Sequence, residues 1–283
     1  MRTQNDLLTK AAQEGDVERL RTLLAVTPVV GYDCPALFLA IQYGHTECVK
    51  LLIPVSHIKT NWEEAVGVAA HYKQAECLKV LLEHKPSNSQ ADQALVISAR
   101  NNDCGCLALL LPHTNPKANH SKALYTALNW RSFAAFEMLL PFSAPEDDPY
   151  TLKLGVYYLP SALRDKMIEQ IPASSYEAIN QTFLYLVELG DIQRVCALLP
   201  KADLTYSNSQ ALRTALEEGN LALAEVLCDG SDLRTALDVL REDGRVDPAM
   251  LQWLTDVEQA RRQQDVLRHS VEGVATNSAR RKL

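Results

Sequence analysis

Three cysteines recur at one fixed spacing and are the residues best placed to do chemistry. Cys48, Cys77 and Cys106 follow one another at steps of 29 residues, a pattern that could serve a metal site or a redox site. Stacked helices lie about 8–10 Å apart, which is wider than the Cα separation of about 7 Å beyond which disulfides fail. Cys104 and Cys106 form one CxC motif without the second pair that a zinc site requires. We therefore predict that the three thiols are buried and pack as small hydrophobic residues.

Carboxylates and catalytic motifs make a weaker case for chemistry. The run Glu146, Asp147 and Asp148 could supply paired carboxylates, but the flanking prolines favour a solvated loop. The sequence contains no Walker P-loop and no GxGxxG, GxSxG or HExxH motif. We predict no catalytic residue, no metal ligand and no cofactor, and therefore a protein that is not an enzyme. The alternative is an enzyme or modifying effector whose chemistry lies in residues 142–178 or after residue 230.

Composition excludes several classes of partner. Hydrophobic residues make up 47% of the chain, and the net charge is −7 at pH 7 without a compensating basic domain. Such a charge disfavours attraction to nucleic-acid phosphates and to anionic membranes. No stretch approaches the roughly 18 apolar residues of a membrane span. We expect a soluble, cytoplasmic and monomeric protein with neither nucleic acid nor membrane as a partner, and the sequence leaves secretion into a host cell open.

The elements that must position these residues recur with the same step as the cysteines. An aliphatic doublet, an apolar residue three positions before it, and a small residue each form a column across five units. The columns are Leu23-Leu24, Leu52-Ile53, Leu81-Leu82, Leu110-Leu111 and Leu139-Leu140; Leu20, Val49, Leu78, Leu107 and Phe136; and Ala11, Ala40, Ala69, Ser98 and Ala127. Spacings of three and four residues mark one face of a helix, and prolines such as Pro54 and Pro112 stop that helix. We predict an all-α solenoid of stacked helix-turn-helix repeats.

The register of the repeats divides the chain into segments. The Leu-Leu column is lost after Pro141, and the spacing of Gly190 and Gly219 shows that the step resumes later. We predict five repeats in residues 5–141, a degenerate repeat or hinge in 142–178, two repeats in 179–230, capping helices in 231–262 and a flexible polar tail in 263–283.

The segment AIQYGHTECVKLLI, at residues 40–53, resembles the ankyrin repeat. The signature of that family is a small pair, two variable residues, Gly-His and then Glu-Val-Val-Lys-Leu-Leu. Looser matches lie at residues 11–24, 69–82 and 186–199. Standard ankyrin repeats have about 33 residues, and the residues missing here fall in the turn between units. The resemblance therefore implies that the projecting β-hairpin fingers of this family are short or absent.

In ankyrin-like repeats the two variable residues point into a concave groove and contact partners. By position, the resemblance assigns partner contacts to Tyr43, His71, Tyr72, Arg100, Asn101, Asn129 and Trp130. Tyr, Trp and Arg are enriched at binding hot spots, and the alternative is that the rings pack on neighbouring helix ends. The resemblance implies a protein–protein interaction module that acts as an adaptor, an inhibitor or a bacterial effector.

Overall fold

The structure is a computed structural model that describes residues 2–26, 35–56, 58–85, 91–244 and 246–280, with side chains between residues 5 and 264. This described part consists of helices and turns without a strand, so the predicted all-α class is confirmed. None of its helices combines the length and the apolar character that a membrane span needs. The chain divides into two compact units, Met1–Ile171 and Pro172–Leu283, each with its own stack of helix pairs.

The first unit contains two rows of helices. They are α1 (Arg2–Glu14), α2 (Val17–Val26), α3 (Pro35–Gln42), α4 (Thr46–Leu52), α5 (Ile58–His71), α6 (Ala75–Glu83), α7 (Asp92–Arg100), α8 (Cys104–Leu110), α9 (Ala118–Asn129), α10 (Phe133–Leu139), α11 (Pro149–Tyr158) and α12 (Ser161–Gln170). The first-helix row is α1, α3, α5, α7 and α9, each packed on the next, and the second-helix row is α2, α4, α6, α8 and α10. The pairs therefore stack as helix-turn-helix repeats.

The columns read from the sequence form the core of this unit. The apolar column of the second-helix row is fully buried and consists of Leu20, Val49, Leu78, Leu107 and Phe136. The small column of the first-helix row is also fully buried and consists of Ala11, Ala40, Ala69, Ser98 and Ala127. A small side chain lets two helices approach closely, so the small column sets the spacing within the first-helix row.

Three second helices of this unit, α4, α8 and α10, end as predicted just before Pro54, Pro112 and Pro141. The helix α4 ends at Leu52, and a 3-10 turn, Ile53–Val55, follows with proline near its start. Proline has no N–H and cannot continue the helical hydrogen bonds, but a hydroxyl group compensates. Ser56 Oγ donates to Leu52 O at 2.7 Å, and Thr114 and Ser143 make the same bond in their repeats.

Hydrogen bonds from the start of the first helices join successive repeats. Asp92 Oδ1 accepts from Asn115 N at 3.0 Å. One repeat step later, the buried Ser121 Oγ accepts from Ala144 N at 2.9 Å and donates to Ala144 O at 3.3 Å. Ser121 ends a left-handed turn in which residues 119–121 all have φ between 51° and 56°. The Ser121 side chain thus provides hydrogen-bond partners for both backbone groups of Ala144, where the chain enters the following repeat.

The last repeat of the first unit is irregular. A 3-10 turn, Pro145–Asp147, leads into α11, which packs on α9. Asp148 caps α11 because its carboxylate accepts hydrogen bonds from Tyr150 N and Thr151 N. Asp147 is exposed, and Glu146 and Asp148 are half-buried. The acidic run that we expected to be a solvated loop is therefore a partly solvated turn that ends in a helix cap.

The second unit repeats the same construction. Its helices are α13 (Tyr176–Glu188), α14 (Ile192–Leu198), α15 (Tyr206–Glu217), α16 (Leu221–Cys228), α17 (Leu233–Asp243) and α18 (Pro248–Arg280). Asn180 Oδ1 accepts from Asp203 N, and Ser209 Oγ accepts from Asp232 N, each at 2.8 Å. These bonds join residues 23 positions apart, as Ser121 and Ala144 do.

The segment boundaries read from the sequence stay predictions. The break between compact units lies at Ile171 and Pro172, inside the segment 142–178 that we predict to be a degenerate repeat or hinge. The segment predicted as a flexible tail begins within α18, and residues 281–283 lie outside the described residues.

Candidate functional site

The turn between the two helices of a repeat carries the residues predicted to bind a partner. The helix α3 ends at Gln42, Tyr43 and Gly44 form the turn, and α4 begins at Thr46. Gly44 has φ +76°, a left-handed conformation that glycine adopts without the steric cost of a Cβ. The chain therefore reverses within a few residues and leaves Tyr43 at the exposed end of the repeat.

Side chains from each turn bind the end of the preceding first helix. The pairs are His45 Nε2 with Gln13 O (3.0 Å), Gln74 Nε2 with Gln42 O (3.1 Å), Asn101 Nδ2 with His71 O (3.2 Å) and Ser132 Oγ with Arg100 O (3.0 Å). The four carbonyl groups occupy one column at the repeat step. Because every bond crosses from one repeat to the next, this edge of the first-helix row is held at fixed spacing.

The predicted aromatic residues keep large exposed surfaces on this edge. Tyr43 is 49% exposed, Tyr72 43% and Trp130 61%. The ring of His71 meets Tyr72 edge-on, with 4.9 Å between ring centroids, and the guanidinium of Arg100 lies 5.8 Å from the centroid of Trp130. The rings therefore contact side chains of the same edge without entering the core. Partner binding by these residues stays a prediction.

The two asparagines of the predicted set differ in their surroundings. Asn101 is half-buried and donates to His71 O, so its amide belongs to the framework that holds the edge. Asn129 is exposed at the end of α9. It lines a cavity of about 240 Å³ with Leu154 and Tyr158. Sequence position alone did not separate these two environments.

An open groove on the first-helix row is a feature that the sequence analysis missed. It has a volume of about 450 Å³, and the residues that shape it include Glu63, Glu64, Gly67, Val68, Tyr72 and Ile97. Val68 and Ile97 are half-buried apolar residues one repeat step apart. The sequence feature that could have revealed this groove is a glycine in the middle of a helix, next to aliphatic residues one repeat step apart.

A second cavity, of about 420 Å³, lies beside the irregular repeat. Its lining includes His120, Tyr125, Asp147 and Asp148. His120 and Asp147 are exposed, and Asp148 is engaged as the cap of α11. These three ionisable residues form no buried pair, so the cavity gives no support to the alternative of chemistry within residues 142–178.

The column cysteines are fully or almost fully buried, as predicted. Burial raises the pKa of the Cys48, Cys77 and Cys106 thiols above the usual range. Cys77 Sγ lies 3.6 Å from Thr46 Oγ1. Among the described residues, no group of three His, Cys, Asp or Glu side chains could hold a metal ion. The thiols are thus part of the core, since a buried protonated thiol is a poor nucleophile.

Known proteins provide a further comparison. The ankyrin repeat domain of human ASB11 aligns with 78% of this chain and 96% of its own, at 18% identity and a TM-score of 0.41. No curated protein matches the sequence. A family model described as "Ankyrin repeats (3 copies)" matches residues 8–92. These residues cover the helix pairs from α1 to α6, whose columns and turns are described above. Residues 8–92 are therefore similar in sequence to ankyrin repeats.

Proposed function

We propose that the chain binds a protein partner through the exposed edge of the first-helix row in the first unit. The observation that carries the proposal is one column of exposed rings, Tyr43, Tyr72 and Trp130, on an edge held by hydrogen bonds between repeats. Ankyrin repeats are generally protein–protein interaction modules and typically not enzymes. We further propose that this edge lines a concave groove and that the chain acts as an adaptor, an inhibitor or a bacterial effector. The same proposal includes a monomeric and cytoplasmic protein.

Physical chemistry supports an interface at this edge. Aromatic side chains bury a large apolar area while little rotamer freedom is lost, which makes them frequent hot spots. The edge is already fixed before a partner arrives, so binding costs little ordering of the backbone. Arg100, stacked near Trp130, adds a positive group that can meet a carboxylate or carbonyl of the partner.

The double variant Y72A/W130A tests this proposal. An affinity pull-down from the native cell identifies the partner, and calorimetry then measures its affinity for each variant. Each removed hot-spot ring is expected to cost about 2 kcal/mol, and the two together should weaken binding roughly a hundredfold. Because both rings are largely exposed, the free energy of unfolding should fall by less than about 1 kcal/mol.

Phe142→Ala is the matched control. Phe142 is 52% exposed and lies in the turn after a second helix, at the opposite end of a repeat, so F142A should bind the partner as the wild type does. Unchanged binding by Y72A/W130A, together with a loss of several kcal/mol of stability, would show that the rings belong to the core.

A further inference from the structure

Gly67 occupies a helix position at which packing does not require glycine. It lies in the interior of α5, where glycine weakens a helix relative to alanine. A Cβ added at Gly67 would meet no described atom within 4 Å. By contrast, a Cβ at Gly155 on α11 would lie 2.3 Å from Met167 Sδ. The fold therefore accepts a side chain at residue 67, and its absence keeps the space above α5 open.

The space above Gly67 has an apolar floor. It is the groove of about 450 Å³ described above, in which Val68 and Ile97 present half-buried aliphatic groups and Tyr72 forms part of the wall. An aliphatic or aromatic side chain placed here would lose contact with water on several sides, which is the main source of favourable binding energy for apolar groups. The groove therefore suits one large apolar side chain better than a polar one.

The rim of the groove is acidic. Glu63 and Glu64 lie on α5 beside Gly67, and the other ionisable residues of the described lining are His71 and Tyr72. The Glu64 carboxylate attracts a cationic side chain of a partner and repels an acidic one. The groove thus combines an apolar pocket with a negative border.

We propose that the groove over Gly67 receives an aliphatic or aromatic side chain of the protein partner, next to a Lys or Arg residue that pairs with Glu64. This inference rests on the proposed function and specifies the chemistry of the bound segment. Gly67 leaves room for the partner to approach α5, and Val68 and Ile97 contact the apolar side chain. Glu64 favours a partner in which the residue next to that side chain is positively charged.

Selection of displayed random peptides on the full-length chain tests the inference. Peptides enriched on the wild-type chain should share a large apolar residue next to Lys or Arg. Their affinity for G67F, in which a ring fills the groove, should fall about tenfold or more. K79F is the matched control because it adds the same ring to an exposed position of α6, and it should bind as the wild type does.

A charge reversal provides a second readout that does not depend on the folding of G67F. E64K should weaken the enriched peptides several-fold, and it should bind a peptide whose basic residue is changed to Glu better than the wild-type chain does. The inference is overturned if the selection gives no such apolar-basic class, or if that class binds G67F, with an unchanged melting temperature, and E64K at full affinity.

The variant Y43A/W130A separates the two proposals, because neither residue lines the groove. Peptides that lose affinity for Y43A/W130A but bind G67F and E64K normally overturn the inference and leave the proposed function standing. Peptides that bind all of these variants equally overturn both.

Discussion

The regular repeats and the irregular repeat of the first unit each consist of two helices, but the two helices of the irregular repeat meet at a glycine. From α3 to α10, polar side chains at the repeat step bind backbone groups of the adjacent repeat, as His45 binds Gln13 O. In the irregular repeat, Gln170 likewise binds backbone carbonyl groups of the preceding repeat, but α11 and α12 themselves meet where Gly155 leaves room for the buried Met167. Hydrogen bonds between repeats thus continue across the break in the period, whereas the packing of the two helices within the irregular repeat depends on close contact at a glycine.

The largest effect that tests this comparison should come from Met167→Ala. Met167 is fully buried, and its truncation should lower the free energy of unfolding by about 2–5 kcal/mol, because the removed atoms leave a cavity. Met138 on α10 is half-buried, so M138A is the control and should cost less. Denaturant titration measures both. A smaller loss for M167A than for M138A would contradict the role of packing in the irregular repeat.

A double-mutant cycle sharpens the same prediction. G155A alone should cost about 1–3 kcal/mol, because the new Cβ forces Met167 to shift. In the M167A background the cost of G155A should be much smaller, since the obstructing atoms are gone. Additive effects of the two substitutions would show that Gly155 and Met167 do not meet as described.

Two buried serines test the regular repeats. Ser121 Oγ bonds to both backbone groups of Ala144, and S121A should cost about 1–3 kcal/mol because these groups are left unsatisfied. Ser98 is also fully buried, but its hydroxyl has no hydrogen-bond partner among the described residues. S98A should therefore be neutral or slightly stabilising. Equal losses for the two variants in thermal unfolding would refute this distinction.

The smallest expected effect is a loss of folding stability at alkaline pH. It concerns the regular repeats, because they contain all three column cysteines. Burial raises the pKa of Cys106, so the folded thiol keeps its proton at a pH where the unfolded thiol ionises. The corresponding stability is complete below about pH 8.5 and falls as the pH rises, by up to about 1 kcal/mol for this one thiol at pH 9. C106A should lose less stability between pH 7 and pH 9 than the wild type.

Thiol labelling at pH 7 checks the burial that this effect requires. Cys196 is exposed and should react in the folded protein, which makes it the internal control. Cys48, Cys77 and Cys106 should react only on unfolding. Rapid labelling of Cys106 in the folded protein would remove the basis for the pH prediction.

Helical periodicity in the sequence was sufficient to identify the elements whose burial repeats along the chain. The apolar column with Leu78 and Phe136, the small column with Ala69 and the helix ends at Leu-Leu-Pro were all predictable, because helical periodicity decides which face is buried. The column of Tyr43, Tyr72 and Trp130 was predictable as a set, and the structure leaves these rings exposed. Local pattern was sufficient for these features since each depends on spacing within one repeat.

The stacking of the helices determines which polar and small residues make contacts between helices. Asn101 was grouped with the partner contacts by its position, but its amide holds the carbonyl of His71 in the preceding repeat. Gly67 and Gly155 are both glycines within helices, yet one faces open space and the other meets Met167. These roles depend on distances between side chains far apart in sequence, and those distances exist only after the repeats have stacked.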